Sequence, residues 1–367
     1  MASPKHLPQN MQKPIAITMG DPGGIGPEIV LKCFLKSLDN PSCREVMQGA
    51  FIVGDLPHLE RAKASLGQNS NLLKLKQIKQ IEDIYLDDFI KKNLDGSANV
   101  PILDVERSET SCSSLAPIST ISVQAGRAAA RNIFWGAKAA LQGKVAALVT
   151  APINKQSLAL AGIDFPGHTE MLQFSAAEHL GVSVSQIPVR MMLVSPELRV
   201  VLVSIHLSLR AAIEQVTKEN ILQTLKITHD SLMGVLGRAP RIAVAGLNPH
   251  SGEGGLMGKE ELEIIAPAIN LARTKYGDMN VSGPYAPDTV FMQARTGVYD
   301  VVIAMYHDQG LIPIKYLGLD RGVNVTLGLP LVRTSPDHGT AFEIAGQGVA
   351  DPASMWASIE LAGLLVA

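Results

Sequence analysis

Val301-Val302-Ile303-Ala304-Met305-Tyr306-His307-Asp308-Gln309-Gly310 is a short apolar run that ends in a histidine, an aspartate and an amide. Short runs rich in β-branched residues form strands buried on both faces. The pattern occurs twice more: Val200-Val201-Leu202-Val203-Ser204-Ile205 leads into His206, and Ile242-Ala243-Val244-Ala245-Gly246-Leu247 leads through Asn248-Pro249 into His250. A histidine just past the end of such a strand stands where open α/β sheets bind ligands. One such histidine is more often a hydrogen-bonded loop residue than a metal ligand. Three with the same placement, in a chain of nine histidines, bring a shared divalent metal level with that bland reading. No HExxH or His-x-His spacing is present, so only convergence in space decides between them.

Outward from these runs, strand patterns alternate with helical ones, the signature of an α/β fold with a largely parallel sheet. Ile15–Met19 reads as the first strand and Ala50–Gly54 as the next. A long alanine-rich helix is expected over Val123–Leu141, a core strand over Val145–Val149 and a closing amphipathic helix over Pro352–Leu365. Gly67–Ser114 is polar and aperiodic and reads as a variable surface region; Gly310–Gly328 reads as loop-rich. The chain has 367 residues, which suits two domains. The expected division is a tail over 1–13, a first domain of 14–155 plus 310–367, and a central domain of 156–309.

An apolar content of 46% with 18% charged residues is that of a globular enzyme, and a net charge of −2 gives no electrostatic case for nucleic acid or an anionic membrane. Three cysteines, Cys33, Cys43 and Cys112, lack CxxC spacing and read as reduced thiols, which points to the cytoplasm. No apolar stretch is long enough to span a membrane, and the first residues lack the apolar core of a signal peptide.

Several further strings carry chemistry. The turn Gly20-Asp21-Pro22-Gly23-Gly24-Ile25-Gly26-Pro27 opens a helix but departs from GxGxxG, so a Rossmann nucleotide site is disfavoured, and a tight turn or an anion site remains. In Gly167-His168-Thr169-Glu170, Thr169 suits a helix cap, and His168 suits a carboxylate or phosphate. The glycine-rich Asn248–Gly255 carries His250 and Glu253 on a backbone that can approach a ligand closely. Lys315, Asn324 and Arg333 follow His307, and together they can bind a phosphate monoester, the arginine bidentately and the lysine as a point charge.

Taken together, MGDPGGIGPE at Met19, GHTEM at Gly167, the His206-Leu207-Ser208-Leu209 stretch, NPHSGEGG at Asn248, YAPDT at Tyr285, YHDQGL at Tyr306 and RTSPDHGTA at Arg333 resemble the 4-hydroxythreonine-4-phosphate dehydrogenase family of vitamin B6 biosynthesis. The resemblance runs from about Ile15 to the C-terminus. It implies two α/β/α domains similar to isocitrate and isopropylmalate dehydrogenases, a homodimer, and an active site in the cleft and at the subunit interface. It implies one divalent metal (zinc, magnesium, manganese or cobalt) held by His206, His250 and His307, two from one subunit and one from its partner. Substrate contacts fall on His168, Thr169, Lys315, Asn324 and Arg333, and the cofactor is NAD or NADP, whose contacts the sequence does not locate. Lys155, Asp288 and Asp308 are candidate proton-handling groups, and orienting a ligand histidine is the favoured role for Asp308. The implied reaction is oxidation of 4-phosphooxy-L-threonine with loss of carbon dioxide, giving 3-amino-2-oxopropyl phosphate. Paralogues acting on 4-phospho-D-threonate or 4-phospho-D-erythronate share the same motifs. Dehydrogenases of aromatic cis-dihydrodiols are more distant, and the phosphate-binding set argues against them. A metal-binding sensor on the same scaffold is the reading from another class; it has no need of both the metal set and the phosphate set.

Overall fold

The computed structural model describes residues 13–39, 41–85, 96–105, 115–318 and 321–366. They form two compact units. One comprises residues up to Ser175 with Gly339–Pro352, and the other comprises Ala176–His338 with the residues from Ala353 on. Apart from Lys13, the expected N-terminal tail lies outside the described residues, as does Cys112; Cys33 and Cys43 are buried and form no disulfide among the described residues.

The first unit runs β1 (Ile15–Thr18), α1 (Gly26–Asp39), α2 (Pro41–Met47), β2 (Ala50–Val53), α3 (Leu56–Ala64), β3 (Leu73–Ile78), β4 (Ala98–Leu103), α4 (Val123–Leu141), β5 (Ala147–Thr150) and α5 (Lys155–Leu160). α6 (His168–Leu180) starts in this unit and ends in the other. The strands lie in the order β3-β4-β2-β1-β5, and each pair is parallel. β1, β2, β4 and β5 are buried at every position, as strands covered on both faces must be. Ser122 caps α4 by accepting the Ala125 N–H at 3.2 Å. Gly126 lets α4 lie on α5, since a Cβ there would sit 1.9 Å from the Ser157 carbonyl oxygen.

β3 and β4 fall inside the polar stretch expected to be surface only. β3 is the edge strand; it buries Leu73 and Ile78 and exposes Lys74, which masks its period in the sequence.

The second unit runs β6 (Arg190–Val194), β7 (Arg199–Leu202), α7 (Leu209–Glu214), α8 (Lys218–Leu236), β8 (Ile242–Ala245), α9 (Ala266–Lys275), β9 (Val281–Tyr285), α10 (Pro287–Arg295), β10 (Val301–Ala304), α11 (His307–Tyr316), β11 (Val323–Leu327), β12 (Val332–Pro336) and α12 (Ala353–Val366). Its strand order is β12-β11-β6-β7-β10-β8-β9. The β7-β10-β8-β9 part is parallel, and β6, β11 and β12 pair antiparallel. One transverse row reads Thr334–Val325–Met192–Val201–Ile303–Val244. One face packs Met192, Val201, Val244 and Val325 against buried residues of α8, α9 and α12. The other packs Leu193, Val200, Leu202 and Ala304 against Val290 and Phe291 of α10 and Leu311 and Ile314 of α11. This unit is therefore an α/β/α layer structure.

The division expected from the sequence placed 310–367 with the first domain. β11 hydrogen-bonds to β6 instead, and α12 packs on β12, so these elements belong to the second unit. The segment expected to be loop-rich after Gly310 holds α11 and β11. Gly310 and Pro313 hide α11 in the sequence. The glycine is there because α11 lies on β7: a Cβ at Gly310 would come within 2.5 Å of Leu202 and 2.8 Å of Val200.

Candidate active site

β7, β10 and β8 are neighbours in the sheet, parallel and in register. Their carboxyl ends therefore open on the same sheet edge, where ligands of α/β sheets bind. His206, His307 and His250 follow those three ends. The rings of His206 and His307 lie 5.6 Å apart between centroids and are tilted by 43°. Imidazoles sharing one ion at a metal–nitrogen distance of about 2.1 Å have centroids roughly 5 Å apart, so this pair is spaced for a common metal. Asp308 lies 2.7 Å from His307 Nδ1. A carboxylate in that position holds the Nδ1–H tautomer and turns Nε2 outward as a ligand. The donor chemistry of the pair fits a divalent ion. Among the described residues, no three His, Cys, Asp or Glu side chains of one chain group as a metal cage.

His206 and His250 both have left-handed backbones, with φ of 51° and 50°. Such a conformation is unfavourable for a side chain with a Cβ and persists only where its surroundings enforce it. His250 lies in a run of left-handed residues from His250 to Gly255. Buried Glu261 enforces the entry to that loop. Its Oε1 accepts the Leu247 and Asn248 N–H groups, each at 2.7 Å, and its Oε2 accepts the Asn248 amide at 2.9 Å. Hydrogen bonds from the backbone, then from the Asn248 amide, hold the neighbouring Glu260 carboxyl below its usual range. Ser204, His206, Leu207, Leu209, Tyr306, His307 and Asp308 line a cavity of about 300 Å³.

The anion-binding candidates lie on the α11 side of the same sheet. Asn324 pairs with Leu193, which faces that side. Arg333 is 3% exposed and donates to Thr326 Oγ1 at 3.1 Å, and Thr326 is two residues beyond Asn324 on the same face. Lys315, on α11, lies 3.4 Å from Asp337. A buried guanidinium beside an amide, with a lysine on the covering helix, is suited to a phosphate. Asp288 is exposed in the first turn of α10.

In the first unit, His168 and Thr169 begin α6, so Thr169 lies inside the helix rather than at its cap. Lys155 begins α5; its Cε is 4.0 Å from where a Cβ on Gly167 would stand, so it adjoins the loop that carries His168. The glycine-rich turn is closed by the chain itself. Asp21 accepts the Gly23 N–H at 2.7 Å, the Thr340 carbonyl takes the Ile25 N–H at 3.0 Å, and a Cβ on Gly24 would sit 2.7 Å from that same oxygen. These glycines serve close packing, and no nucleotide site follows from them. Sequence reasoning missed Glu261 and Gln309. The only trace of Gln309 was its place in the Tyr306–Leu311 string, and Glu261 sits in an ordinary acidic stretch.

Residues 47–362 match the family described as Pyridoxal phosphate biosynthetic protein PdxA. The chain belongs to the PdxA family. A 4-hydroxythreonine-4-phosphate dehydrogenase of Beijerinckia indica is 44% identical over 96% of this chain and 95% of that protein. A D-threonate 4-phosphate dehydrogenase of Salmonella typhimurium is 41% identical over 95% of this chain and 98% of its own length. The crystal structure of a 4-hydroxythreonine-4-phosphate dehydrogenase from Klebsiella pneumoniae superposes with a TM-score of 0.81 at 40% identity, covering 98% of this chain and 99% of that one. The chain is thus an oxidoreductase of the PdxA family with its α/β fold. No helix among the described residues is long and apolar enough to cross a membrane.

Proposed function

We propose that this PdxA-family chain oxidises 4-phosphooxy-L-threonine with NAD or NADP, giving 3-amino-2-oxopropyl phosphate and carbon dioxide on the route to pyridoxine 5′-phosphate. The observation that carries the proposal is the second unit's sheet, with paired histidines at its carboxyl edge and Asn324, Arg333 and Lys315 on one side of it. Relatives named for two phosphorylated hydroxy acids support the substrate class.

Each residue then has a stated task. Lys315, Asn324 and Arg333 bind the phosphate, with Arg333 already desolvated and pre-positioned. His168 and Thr169 are further substrate contacts, and Lys155 and Asp288 are candidates for proton transfer. His206 and His307 of one chain, with His250 from a second copy in a homodimer, would hold a zinc, magnesium, manganese or cobalt ion. That ion supplies Lewis acidity at the substrate hydroxyl. Asp308 orients His307. A bound nicotinamide would supply the hydride acceptor for the carbon that bears the hydroxyl, and the β-keto acid so formed would lose carbon dioxide.

The relative named for D-threonate 4-phosphate supports a second reading, a paralogue acting on 4-phospho-D-threonate or 4-phospho-D-erythronate. Both readings are tested by following reduced nicotinamide absorbance with each substrate in turn, with and without chelator. Turnover of 4-phosphooxy-L-threonine, lost on chelation and regained with divalent metal, is the expected result. Turnover of a sugar-acid phosphate alone selects the second reading. Silence with all three, with either cofactor and metal added, overturns both.

A further inference from the structure

We infer that Gln309 is a positioning residue, a cross-strand brace that fixes the strand ends carrying His307 and His250; this rests on the metal site proposed above. Gln309 is buried in the first turn of α11. Its Oε1 accepts the Met305 N–H at 2.6 Å, and its Nε2 donates to the Gly246 carbonyl at 2.7 Å. Met305 and Gly246 lie just beyond the paired residues of β10 and β8. The side-chain amide therefore supplies the next rung after the ladder stops.

The first of these bonds is like the back-reach of a capping box, except that it takes the N–H of Met305, one residue before the N-cap Tyr306. The second is not. Gly246 is 63 residues away, just past the end of β8, and capping α11 needs nothing from it. An amide of this length can accept at one atom and donate at the other, which a carboxylate cannot. The far side of β10 is tied as well: Ser204 Oγ donates to the Met305 carbonyl at 3.1 Å. Both backbone groups of Met305 are thus held by side chains. Ser204 precedes His206 by two residues, Met305 precedes His307 by two, and Gly246 precedes His250 by four. All three histidines hang from one braced row, and Glu261 continues the brace by holding the Leu247 and Asn248 N–H groups.

Gln309→Glu separates the two bonds. It keeps an acceptor for Met305 and sets an oxygen against the Gly246 carbonyl. The test is zinc affinity of the full-length protein, measured by competition with a chromogenic chelator, with far-ultraviolet circular dichroism and thermal melting on the same samples. Partners behind metal ligands are typically worth about 10–100-fold in affinity. Gln309→Glu is expected to bind zinc at least about tenfold more weakly while keeping native helix content. Ser204→Ala, a smaller change that removes only the tie to the Met305 carbonyl, is expected to weaken binding in the same direction, and it decides the matter if the glutamate variant does not fold. Folded variants that bind zinc within twofold of the parent overturn the brace. His307→Ala separates this from failure of the metal reading: if it binds zinc as the parent does, or the parent binds none, the metal site itself is wrong and the brace falls with it.

Discussion

Gly310→Ala sets two effects of opposite sign against each other at one position. Gly310 lies in α11 three residues after His307, where alanine is worth about 1 kcal/mol over glycine in helix propensity. Propensity alone predicts a more stable protein. The new Cβ, however, would lie 2.5 Å from Leu202 Cδ2, 2.8 Å from Val200 Cγ1 and 3.2 Å from Ala304 Cβ. Carbon atoms pack best at about 3.5–4.0 Å, so the closest contact falls short by roughly 1 Å. Leu202 and Val200 are themselves fully enclosed and cannot swing away. Overpacking of this kind costs about 1–3 kcal/mol, which outweighs the gain and leaves the variant up to about 2 kcal/mol less stable. The cheapest relief is for α11 to back away from β7, and that moves His307 relative to His206. A displacement of about 1 Å at a reacting centre can cost roughly 100-fold in turnover. Gly234→Ala is the internal control. Gly234 is exposed near the end of α8, with nothing within 4 Å of its would-be Cβ, and the same substitution there should stabilise by about 0.5–1 kcal/mol. Denaturant unfolding and turnover of both variants decide. If both raise stability alike, the close approach of α11 to β7 is wrong.

Arg333→Lys should raise KM for the phosphorylated substrate by about 10–100-fold, because one charge-assisted hydrogen bond is worth roughly 1.5–3 kcal/mol and a lysine cannot reproduce the bidentate geometry; an unchanged KM in steady-state kinetics would remove Arg333 from the phosphate site. Asp308→Ala should weaken metal binding about tenfold, the low end of the range for such partners because the carboxylate is well exposed, and Asp308→Asn should do less, since its carbonyl can still accept from Nδ1; calorimetric metal titration measures both. Asp300→Asn tests a structural ion pair. Hydrogen bonds from Arg238 and then Arg241 hold the Asp300 carboxyl far below its usual range despite its burial. A carboxyl depressed in the folded state stabilises fully above its unfolded pKa of about 3.9 and loses that contribution as pH falls through the folded value. The variant should therefore melt below the parent at pH 7, and the gap should close in strong acid. Melting curves that differ equally at pH 7 and pH 2 would refute the assignment.

The parts of the fold that were legible share a cause. β7, β8 and β10 are buried on both faces, so each reads as an unbroken apolar run, and α4 announces itself through alanine and helical spacing. What stayed hidden is equally physical. β3 is an edge strand whose lysines face solvent. α11 carries a glycine because of what it packs against, and a proline besides, and residue preference counts both as helix breakers. The domain boundary was misplaced because β11 pairs with β6 across more than a hundred residues of intervening chain, and no local pattern records such a partner.

By itself the sequence determined the residue types of the site: three histidines after three core strands, a Lys-Asn-Arg set downstream, and glycines wherever backbones must approach. Only the tertiary structure decided which of these meet. It set β7, β10 and β8 side by side in register, brought His206 and His307 together, and buried Arg333 on the α11 side of the sheet. It also packed the glycine-rich turn against Thr340. The reason lies in how each property is encoded. Chemistry and periodicity are written locally, residue by residue, whereas strand order and long-range pairing emerge only when distant apolar faces are buried against one another.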